Sequence, residues 1–379
     1  MIREATDCID AGSEFCPCKL AENGECIICS QMHGECFCDC SNWKGVCIYQ
    51  EFFNNGMKAK EGREKYSCKI LDIKNYDNSV IVLKFKTVHK LTLDLVKPGS
   101  YIFICPEKED KYFDTPISVL ESNIDENSIT VAVEIRGIKT KKLLQFNIGD
   151  EIHIRAPYWN GIFGIKNIEK QNKNKCLVLA RGIGIAPMVP VIRKLLLQDC
   201  SVETFADYGG LKKGFLDEFL EKYNVKNTSK SLLEKGELSK ECKDIINKCI
   251  ANGVSYIHIA GADILTLKVI EYLDSLNRGD VLLSCCNNFK MCCGEGICGA
   301  CTARYKGHKV KRFCKVQTDP RSIFEERRLI WESLLLVEDG QVLQPSSNYI
   351  IKYYLNWVIT IKFNFFYNFS YKILFFFYW

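Results

Sequence analysis

The sequence lacks the features that mark export, nucleic-acid binding and membrane insertion. Its first residues contain no apolar core of the kind found in secretory signal peptides, so we expect a cytoplasmic protein in a reducing compartment. The net charge of +5 is small and dispersed, which argues against nucleic acid as a partner. No window supplies the roughly 20 clean apolar residues that a spanning helix needs. No acid–base triad stands out, and no catalytic side chain is predicted.

Length and composition are otherwise those of a globular protein. The chain has 379 residues, enough for two or three domains, and 47% of them are apolar against 26% charged. The exception is cysteine, with 22 residues. Nine of these precede residue 48 and seven lie between residues 285 and 314, so two cysteine-rich ends flank a conventional body. In a reducing compartment, such thiols favour metal binding over disulfides.

The spacing of four cysteines near the C-terminal end predicts an iron–sulfur site. Cys293, Cys298 and Cys301 follow the pattern C-x4-C-x2-C, and Cys314 comes later. This is the run known for plant-type [2Fe–2S] clusters, and the glycines between the ligands let the loop turn its N–H groups toward sulfur. Zinc or four structural thiols are the alternatives, although zinc knuckles more often pair cysteines as C-x2-C. Cys292 competes as first ligand, but Cys293 has the glycine directly after it.

The N-terminal cysteines predict a further metal site. This region has little hydrophobic periodicity, so a packed core from it alone is not expected. It contains the C-x2-C pair of Cys26 and Cys29 and then the tight run of Cys36, Cys38 and Cys40. A short, loop-rich segment needs a staple, which favours an iron–sulfur cluster or zinc that supplies folding energy or an added electron relay. A thiol-rich cap without metal is the alternative, and the spacing does not choose the ligands.

Two regular domains are predicted between these ends. Short runs rich in β-branched residues predict a small antiparallel barrel, and they occupy residues 66–71, 79–85, 128–135 and 151–154. Buried strands, glycine turns and amphipathic stretches then alternate, which predicts a parallel α/β nucleotide-binding sheet. The strands of that sheet occupy residues 175–180, 202–208 and 256–263, and the helices occupy 188–198 and 264–276.

The predicted fold class is therefore α+β and multidomain. Its segments are a cysteine-rich N-terminal extension, a small antiparallel β-barrel, an α/β nucleotide-binding domain, a [2Fe–2S] loop domain and a tail, at residues 1–60, 64–165, 170–280, 285–320 and 330–379. The tail is rich in Tyr, Phe, Ile, Asn and Lys. A spanning helix, a peripheral or partner-contacting segment and a poorly specified extension are its three interpretations. Polar residues interrupt every apolar run, which argues against spanning.

With barrel, glycine-turn sheet and cluster loop in this order, residues 64–320 resemble the ferredoxin–NADP+ reductase superfamily. Within it, the chain looks most like the electron-transfer subunit of dihydroorotate dehydrogenase and the small subunit of NADH-dependent ferredoxin:NADP+ oxidoreductase (sulfide dehydrogenase type). Those subunits carry M-x-C-G-x-G-x-C-x-x-C and a later Cys, which matches residues 291–301 and Cys314. The resemblance implies FAD on the barrel, NAD(P)H on the α/β domain, and electrons passing through FAD and the [2Fe–2S] cluster to a partner subunit.

The flavin motifs match with two departures. Residues 98–101 match the superfamily's P-G-Q-F/Y strand start, and residues 115–118 match R-x-Y/I-S except that Thr115 replaces Arg. An Arg makes two charge-assisted bonds to phosphate, whereas Thr offers one neutral donor. In the G-x-G-T pyrophosphate loop, Lys139 replaces the second glycine, and its charge is a hypothetical compensation. The implied FAD contacts are Tyr101, Thr115, Pro116, Ile117, Ser118, Val133, Ile135, Gly137, Lys139 and Thr140. Tyr158 and Trp159 either stack near the flavin or, as we favour, fill core.

The nucleotide motifs lie at strand ends. Residues 181–187 match G-G-G-x-G-x-A-P, where glycines let a dinucleotide approach a helix N-terminus. Arg181 replaces a small residue there and would either contact phosphate or obstruct the entrance. Lys212 and Lys213 either favour a 2′-phosphate or are simply solvated. The implied nucleotide contacts are Gly182, Gly184, Ala186, Pro187, Asp207, Tyr208, Gly209 and Gly261.

The predicted function is an electron-transfer flavoprotein subunit beside a catalytic partner of dihydroorotate dehydrogenase or glutamate synthase type. The departures at Thr115 and Lys139 keep a second hypothesis open, a flavin-free iron–sulfur relay or regulatory binding module. Zinc-dependent scaffolding through both cysteine-rich ends is a third. The sequence does not choose between NADH and NADPH, and it names no terminal donor or acceptor.

Overall fold

The computed structural model describes residues 7–38, 43–106, 114–211, 214–305 and 309–325. The predictions for Cys40, for Lys212 and Lys213, and for the tail at residues 330–379 lie outside these ranges. The described elements all belong to one unit, Met1–Arg327. Within the described ranges, no helix combines the length and the apolar character needed to cross a membrane.

The N-terminal extension has little regular structure. Its elements are β1 (Asp7–Cys8), α1 (Lys19–Glu22), a 3-10 turn (Gln31–His33) and α2 (Ile48–Asn54). Its buried apolar core consists of Ala21, Cys26, Met32 and Ile48, with a few partly buried neighbours. This small core agrees with the poor hydrophobic periodicity of the segment.

The next domain is a closed barrel, as predicted. Its elements are β2 (Lys65–Tyr76), β3 (Val80–Lys86), α3 (His89–Asp94), β4 (Tyr101–Cys105), β5 (Thr115–Asn123), β6 (Ser128–Glu134), α4 (Ile138–Lys141), a 3-10 turn (Lys142–Gln145) and β7 (Glu151–Tyr158). The strands close in the order β2-β3-β6-β5-β4-β7, and every pairing is antiparallel. Inward side chains such as Leu83, Phe85 and Ile102 fill the interior.

The α/β domain follows, also as predicted. Its elements are β8 (Ile162–Phe163), α5 (Ile165–Glu169), β9 (Lys175–Arg181), a 3-10 turn (Gly182–Gly184), α6 (Ile185–Leu196), β10 (Ser201–Asp207), α7 (Asp217–Lys222), β11 (Asn227–Ser229), β12 (Leu233–Glu234), β13 (Glu237–Leu238), α8 (Lys240–Ala251), β14 (Val254–Ala260), α9 (Asp263–Ser275) and β15 (Leu282–Cys286). The main sheet has the order β11-β10-β9-β14-β15-β8 and is parallel except for β8.

Strand β9 explains why this sheet needs apolar residues in an unbroken run. Val178 and Ala180 pack into one core, whereas Leu177 and Leu179 pack into the core on the opposite face. A strand covered on both faces carries apolar side chains at consecutive positions. The continuous run read from the sequence therefore reports burial on both sides of the sheet.

The C-terminal described segment contains the cysteine loop. After β15 come residues 287–301, then β16 (Thr302–Arg304), β17 (Val310–Arg312), β18 (Val316–Gln317) and α10 (Arg321–Phe324). Strand β18 pairs antiparallel with β1, so Cys8 lies opposite Val316 and Asp7 opposite Gln317. The N-terminal extension is thereby joined to the strand that follows Cys314.

Candidate functional site

The predicted nucleotide turns meet at one edge of the parallel sheet. The register pairs Asp207 with Arg181 and Ala260 with Ala180, so β9, β10 and β14 end side by side. Gly182 and Gly261 follow β9 and β14 directly, and Gly209 comes two residues after the end of β10. In open α/β sheets, ligands bind at the carboxyl ends of the strands. The structure therefore brings together the residues that sequence analysis assigned to the nucleotide.

The Asp207 carboxylate organises these turns. It accepts a hydrogen bond from the Arg181 Nε at 2.9 Å, from the backbone N–H of Gly209 at 2.9 Å and from that of Leu232 at 3.1 Å. Tyr208, the next predicted contact, is buried and packs edge-on against Phe215. Arg181 is thus engaged by Asp207, and its two predicted roles toward the nucleotide stay predictions.

Gly184 lets the turn after β9 approach the turn after β14. A methyl group on Gly184 would lie 2.7 Å from the carbonyl carbon and oxygen of Ala260 and from the nitrogen of Gly261. Backbone atoms cannot move aside as a side-chain tip can. The glycine is therefore required by close approach, which agrees with its place in the nucleotide motif.

We expect Gly184→Ala to impair NAD(P)H use while leaving the barrel intact. Pushing two turns apart displaces the nucleotide, and a displacement near 1 Å can cost about a hundredfold in rate, so we expect kcat/KM for NADH-dependent dye reduction to fall at least about tenfold. Gly210→Ala is the matched control, because a methyl group there meets nothing within 4 Å. Equal kinetics for the two variants would contradict this use of the turn.

The predicted flavin residues fall on two adjoining barrel strands. Residues Tyr101–Cys105 of β4 pair with β5 so that Tyr101 faces Ser118 and Ile104 faces Thr115. Residues 115–118 are half-buried at the surface of the barrel, whereas Val133 is buried in its interior. Val133 is therefore able to meet a cofactor on the outside of the barrel only through its backbone.

Tyr101 lies deeper than a surface flavin contact would. It stacks on Tyr158 with ring centroids 5.1 Å apart, and Phe103 packs edge-on against Tyr158. Burial first, and then the Cys314 thiol, raise the pKa of the Tyr101 hydroxyl. No protein hydrogen-bond partner for that hydroxyl occurs among the described residues. Tyr101 therefore connects β4 of the barrel to the cysteine loop. The burial of Tyr158 and Trp159 agrees with their interpretation as core.

The predicted pyrophosphate loop is held by Thr140. Its hydroxyl accepts hydrogen bonds from the backbone N–H of Arg136 at 3.0 Å and Gly137 at 3.2 Å. Lys139 on α4 donates from Nζ to the carbonyl oxygen of Asp114 at 3.1 Å. Since Asp114 precedes Thr115, the lysine lies beside the position where the superfamily has its phosphate-binding Arg. That placement is what the compensation hypothesis requires.

The four predicted cluster ligands come together in the loop after β15. The Cys314 thiol is hydrogen-bonded to both Cys293 and Cys301, and Cys298 is hydrogen-bonded to Cys293. Backbone N–H groups also point at sulfur. The Cys293 Sγ accepts from Glu295 at 3.3 Å and Cys298 at 3.5 Å, and the Cys301 Sγ accepts from Cys314 at 3.3 Å.

These bonds favour the thiolate form of Cys293 and Cys301, whereas burial raises the pKa of Cys298. The hydrogen bond from Cys314, assisted by the N–H groups of Cys298 and Glu295, lowers the pKa of Cys293 to about 4 despite burial. A second hydrogen bond from Cys314 lowers the pKa of Cys301 to about 7, and the pKa of Cys314 itself is raised because it is the donor in both. Thiolate is the form that ligates metal.

The four thiols that lie together here are the number of ligands that a [2Fe–2S] group would need. In the described part of the chain, no three His, Cys, Asp or Glu side chains are arranged to hold a single metal ion. A two-iron cluster does not need three ligands around one point. Gly294, at φ +72°, is required as well, because a methyl group there would lie 2.3 Å from the Tyr158 ring. Cys292, the competing first ligand, is exposed.

Arg155 joins the cysteine loop to the start of β5, and sequence analysis missed it. Its Nη1 donates to the Cys293 carbonyl oxygen at 2.8 Å and to the Tyr158 hydroxyl, while Nη2 lies 3.7 Å from the Asp114 carboxylate. The guanidinium also covers the Phe103 ring at 4.4 Å. Nothing in a lone Arg near the end of a strand indicates this role.

A buried network of four charges lies behind the cysteine loop, and it was also missed. Arg63 pairs with Asp10 at 2.7 Å and with Glu295 at 2.9 Å. Lys315 pairs with the same two carboxylates. The side chains of Lys315, Arg63 and Asp10 are 0%, 1% and 2% exposed. Partners separated by 20 to 305 residues leave no local sequence signal.

The fold defines a class of chains in which a closed antiparallel barrel is followed by a parallel α/β sheet. A solved chain of the NADH-dependent reduced ferredoxin-NADP oxidoreductase superimposes with a TM-score of 0.53 at 18% identity, covering 71% of this chain and 91% of that one. At that identity the likeness shows the fold alone. No protein-family profile matches the chain.

Sequence comparison then gives particular relatives. The electron transfer subunit of dihydroorotate dehydrogenase B (NAD(+)) from Clostridium acetobutylicum is 27% identical over 222 residues, which covers 58% of this chain and 82% of that protein. Subunit gamma of sulfhydrogenase 2 from Pyrococcus furiosus is 26% identical over 276 residues, covering 66% and 92%. The resemblance predicted from the motifs is therefore confirmed.

Proposed function

We propose that this protein is the electron-transfer subunit of an NAD(P)H-dependent oxidoreductase, with FAD on the barrel and a [2Fe–2S] cluster on the loop after β15. The electron-transfer role is supported by the relatives, which are subunits of dihydroorotate dehydrogenase and sulfhydrogenase. The nicotinamide, the particular cofactors, cytoplasmic location and a catalytic partner of dihydroorotate dehydrogenase or glutamate synthase type belong to the proposal.

One observation carries this proposal, the bridge that Arg155 makes between Asp114 and Cys293. Asp114 directly precedes β5 of the barrel and Cys293 lies in the cysteine loop, and these two segments are far apart in the sequence. When bound, FAD accepts two electrons from a nicotinamide and the one-electron [2Fe–2S] group takes them singly. Chemistry of that kind needs the flavin and the cluster close together. Arg155 and Tyr101 hold the barrel beside the cysteine loop, the two segments to which we assign these groups.

The described side chains perform positioning rather than proton transfer. Asp207 and Gly184 fix the turns that would receive the nucleotide. Tyr101, Phe103 and Tyr158 of the barrel form an apolar cluster with Met291 of the cysteine loop. Hydrogen-bond donors on the cysteine sulfurs stabilise their charged form. No acid or base is required of the protein.

The test is composition and reduction of the anaerobically purified chain. We expect FAD, at least two irons with matching sulfide per chain, and bleaching of the flavin on addition of NADH or NADPH. Zinc in place of iron would support the scaffold hypothesis instead. Iron without flavin would support the relay hypothesis, for which Thr115 in place of Arg is the motivating observation.

Lys139 provides a direct test of flavin retention. If its ammonium group compensates for the missing Arg, Lys139→Ala loses a charge-assisted contact with phosphate, and such bonds contribute about 1.5–3 kcal/mol. We therefore expect the flavin dissociation constant to rise at least tenfold and the purified variant to contain less FAD. Lys141→Ala, on the same short helix, is the control. Full flavin occupancy in Lys139→Ala would refute the compensation.

A further inference from the structure

The N-terminal extension is too weakly packed to be explained by its apolar residues. Its core has four buried residues, and all of the cysteines that the structure describes are free thiols rather than disulfides. Segments of this size with so small a core are usually stabilised by disulfides or a metal. A stabilising group other than a disulfide is therefore needed for residues 7–60.

Four thiols of this extension surround one pocket. Cys8, Cys16, Cys18 and Cys26 line it, and the other lining side chains are apolar apart from Asp10. Cys16 and Cys26 also pack together in the small apolar core of the extension. Four sulfurs that line one apolar pocket can together act as the ligands of a metal group.

The pocket adjoins the predicted [2Fe–2S] loop. Cys8 lies opposite Val316, two residues after Cys314. Leu20, which lines the pocket, packs so close to Gly296 that a methyl group on the glycine would approach it to 2.8 Å. Lys315 contacts Asp10 and is influenced by the charge of Cys18. The two groups of thiols are therefore neighbours in space although they lie at opposite ends of the described chain.

We propose that Cys8, Cys16, Cys18 and Cys26 bind a second iron–sulfur cluster next to the [2Fe–2S] site. Zinc fits these four cysteines less well than an iron–sulfur cluster does. Seven, one and seven residues separate them, so they contain no C-x2-C pair. The proposal rests on the proposed function, since it adds a second one-electron carrier beside the first.

The test compares metal content in full-length chains prepared anaerobically. The wild type is expected to contain clearly more than the two irons and two sulfides of a single [2Fe–2S] cluster. Cys18→Ser should lose the excess iron and keep the [2Fe–2S] electron paramagnetic resonance signal. Cys298→Ser should lose that signal and keep the excess. Cys249→Ser is the control, because its buried thiol lies on α8, remote from both sites in the sequence.

The outcomes separate this proposal from the proposed function. Two irons per wild-type chain, unchanged in Cys18→Ser, would overturn the second cluster and leave the first intact. Zinc that is lost in Cys18→Ser would overturn it as well. Failure of the proposed function would instead be seen as missing flavin or a missing [2Fe–2S] signal in the wild type. If Cys18→Ser does not fold, Cys16→Ser and the wild-type iron and sulfide counts decide the question.

Discussion

Replacing Cys293 by Ser is expected to abolish the [2Fe–2S] signal and to remove about two irons per chain, because each of four thiolates is needed to complete the ligand set. In the structure, Cys293 contacts Cys298 and Cys314 and accepts two backbone N–H bonds. Reduction of the flavin by NADH should survive in this variant, since the nucleotide turns are on another domain. Transfer from flavin to a one-electron acceptor protein should fall by at least about a hundredfold.

Cys292→Ser is the matched control for this prediction. The two cysteines are adjacent, but Cys292 is exposed and outside the group of contacting thiols. Iron content, spectrum and electron transfer should stay at wild-type values. If instead Cys292→Ser loses the cluster and Cys293→Ser retains it, the ligand assignment is wrong although the site remains.

Replacing Arg63 by Met is expected to lower the free energy of unfolding by about 3–5 kcal/mol, the usual cost of removing one partner from a buried ion pair. Asp10 and Glu295 would keep only Lys315 as a cation. The guanidinium also lies 4.2 Å from the Phe15 ring centroid and 4.6 Å from that of Tyr158, so packing is lost as well. Denaturant unfolding of the anaerobically purified proteins measures the difference.

The control for Arg63→Met is Lys90→Met. Lys90 pairs with Glu14 at 2.6 Å and likewise ties the N-terminal extension to the barrel, but the two side chains are 66% and 47% exposed. Exposed pairs contribute about 0–1 kcal/mol. Similar losses of stability in the two variants would contradict the importance of the buried network.

The penalty of Arg63→Met should also depend on pH. Burial raises the pKa values of Asp10 and Glu295, but the charges of Lys315 and Arg63 outweigh it and lower both below the ordinary 3.8 and 4.5. A lowered carboxyl pKa contributes stability that is present above the ordinary value and is lost as pH falls through the lowered one. The variant's uncompensated carboxylate takes up a proton more readily, so the difference from wild type should shrink between pH 7 and pH 4.

Much of the fold was accessible from local patterns. Runs of β-branched residues predicted the barrel, and the continuous apolar run of β9 predicted a sheet covered on both faces. The grouping of Cys293, Cys298, Cys301 and Cys314 was accessible too, because their spacing and the glycines between them are short-range features. Gly184 and Gly294 were singled out by motif, and the structure adds the close approaches that require them.

The remaining features depend on contacts between distant segments. Arg63, Asp10 and Lys315 give no periodicity or motif, and only folding places them together. Arg155 likewise gives no sequence signal, because its partner Asp114 lies directly before β5 and its partner Cys293 lies in the cysteine loop. The N-terminal ligands could not be chosen by spacing either. The C-x2-C and C-x-C-x-C runs left the ligands open, whereas the pocket brings Cys26 together with three earlier cysteines.

The most direct measurement is electron paramagnetic resonance of the anaerobic protein after addition of NADH or NADPH alone. The account predicts that the nucleotide bleaches a bound flavin and produces the signal of a reduced [2Fe–2S] cluster that Cys293→Ser lacks. The nucleotide, which donates two electrons, and the cluster, which carries one, would then be linked within this chain. Protein that contains neither flavin nor iron, or a cluster that NADH and NADPH both fail to reduce while the flavin bleaches, would contradict it.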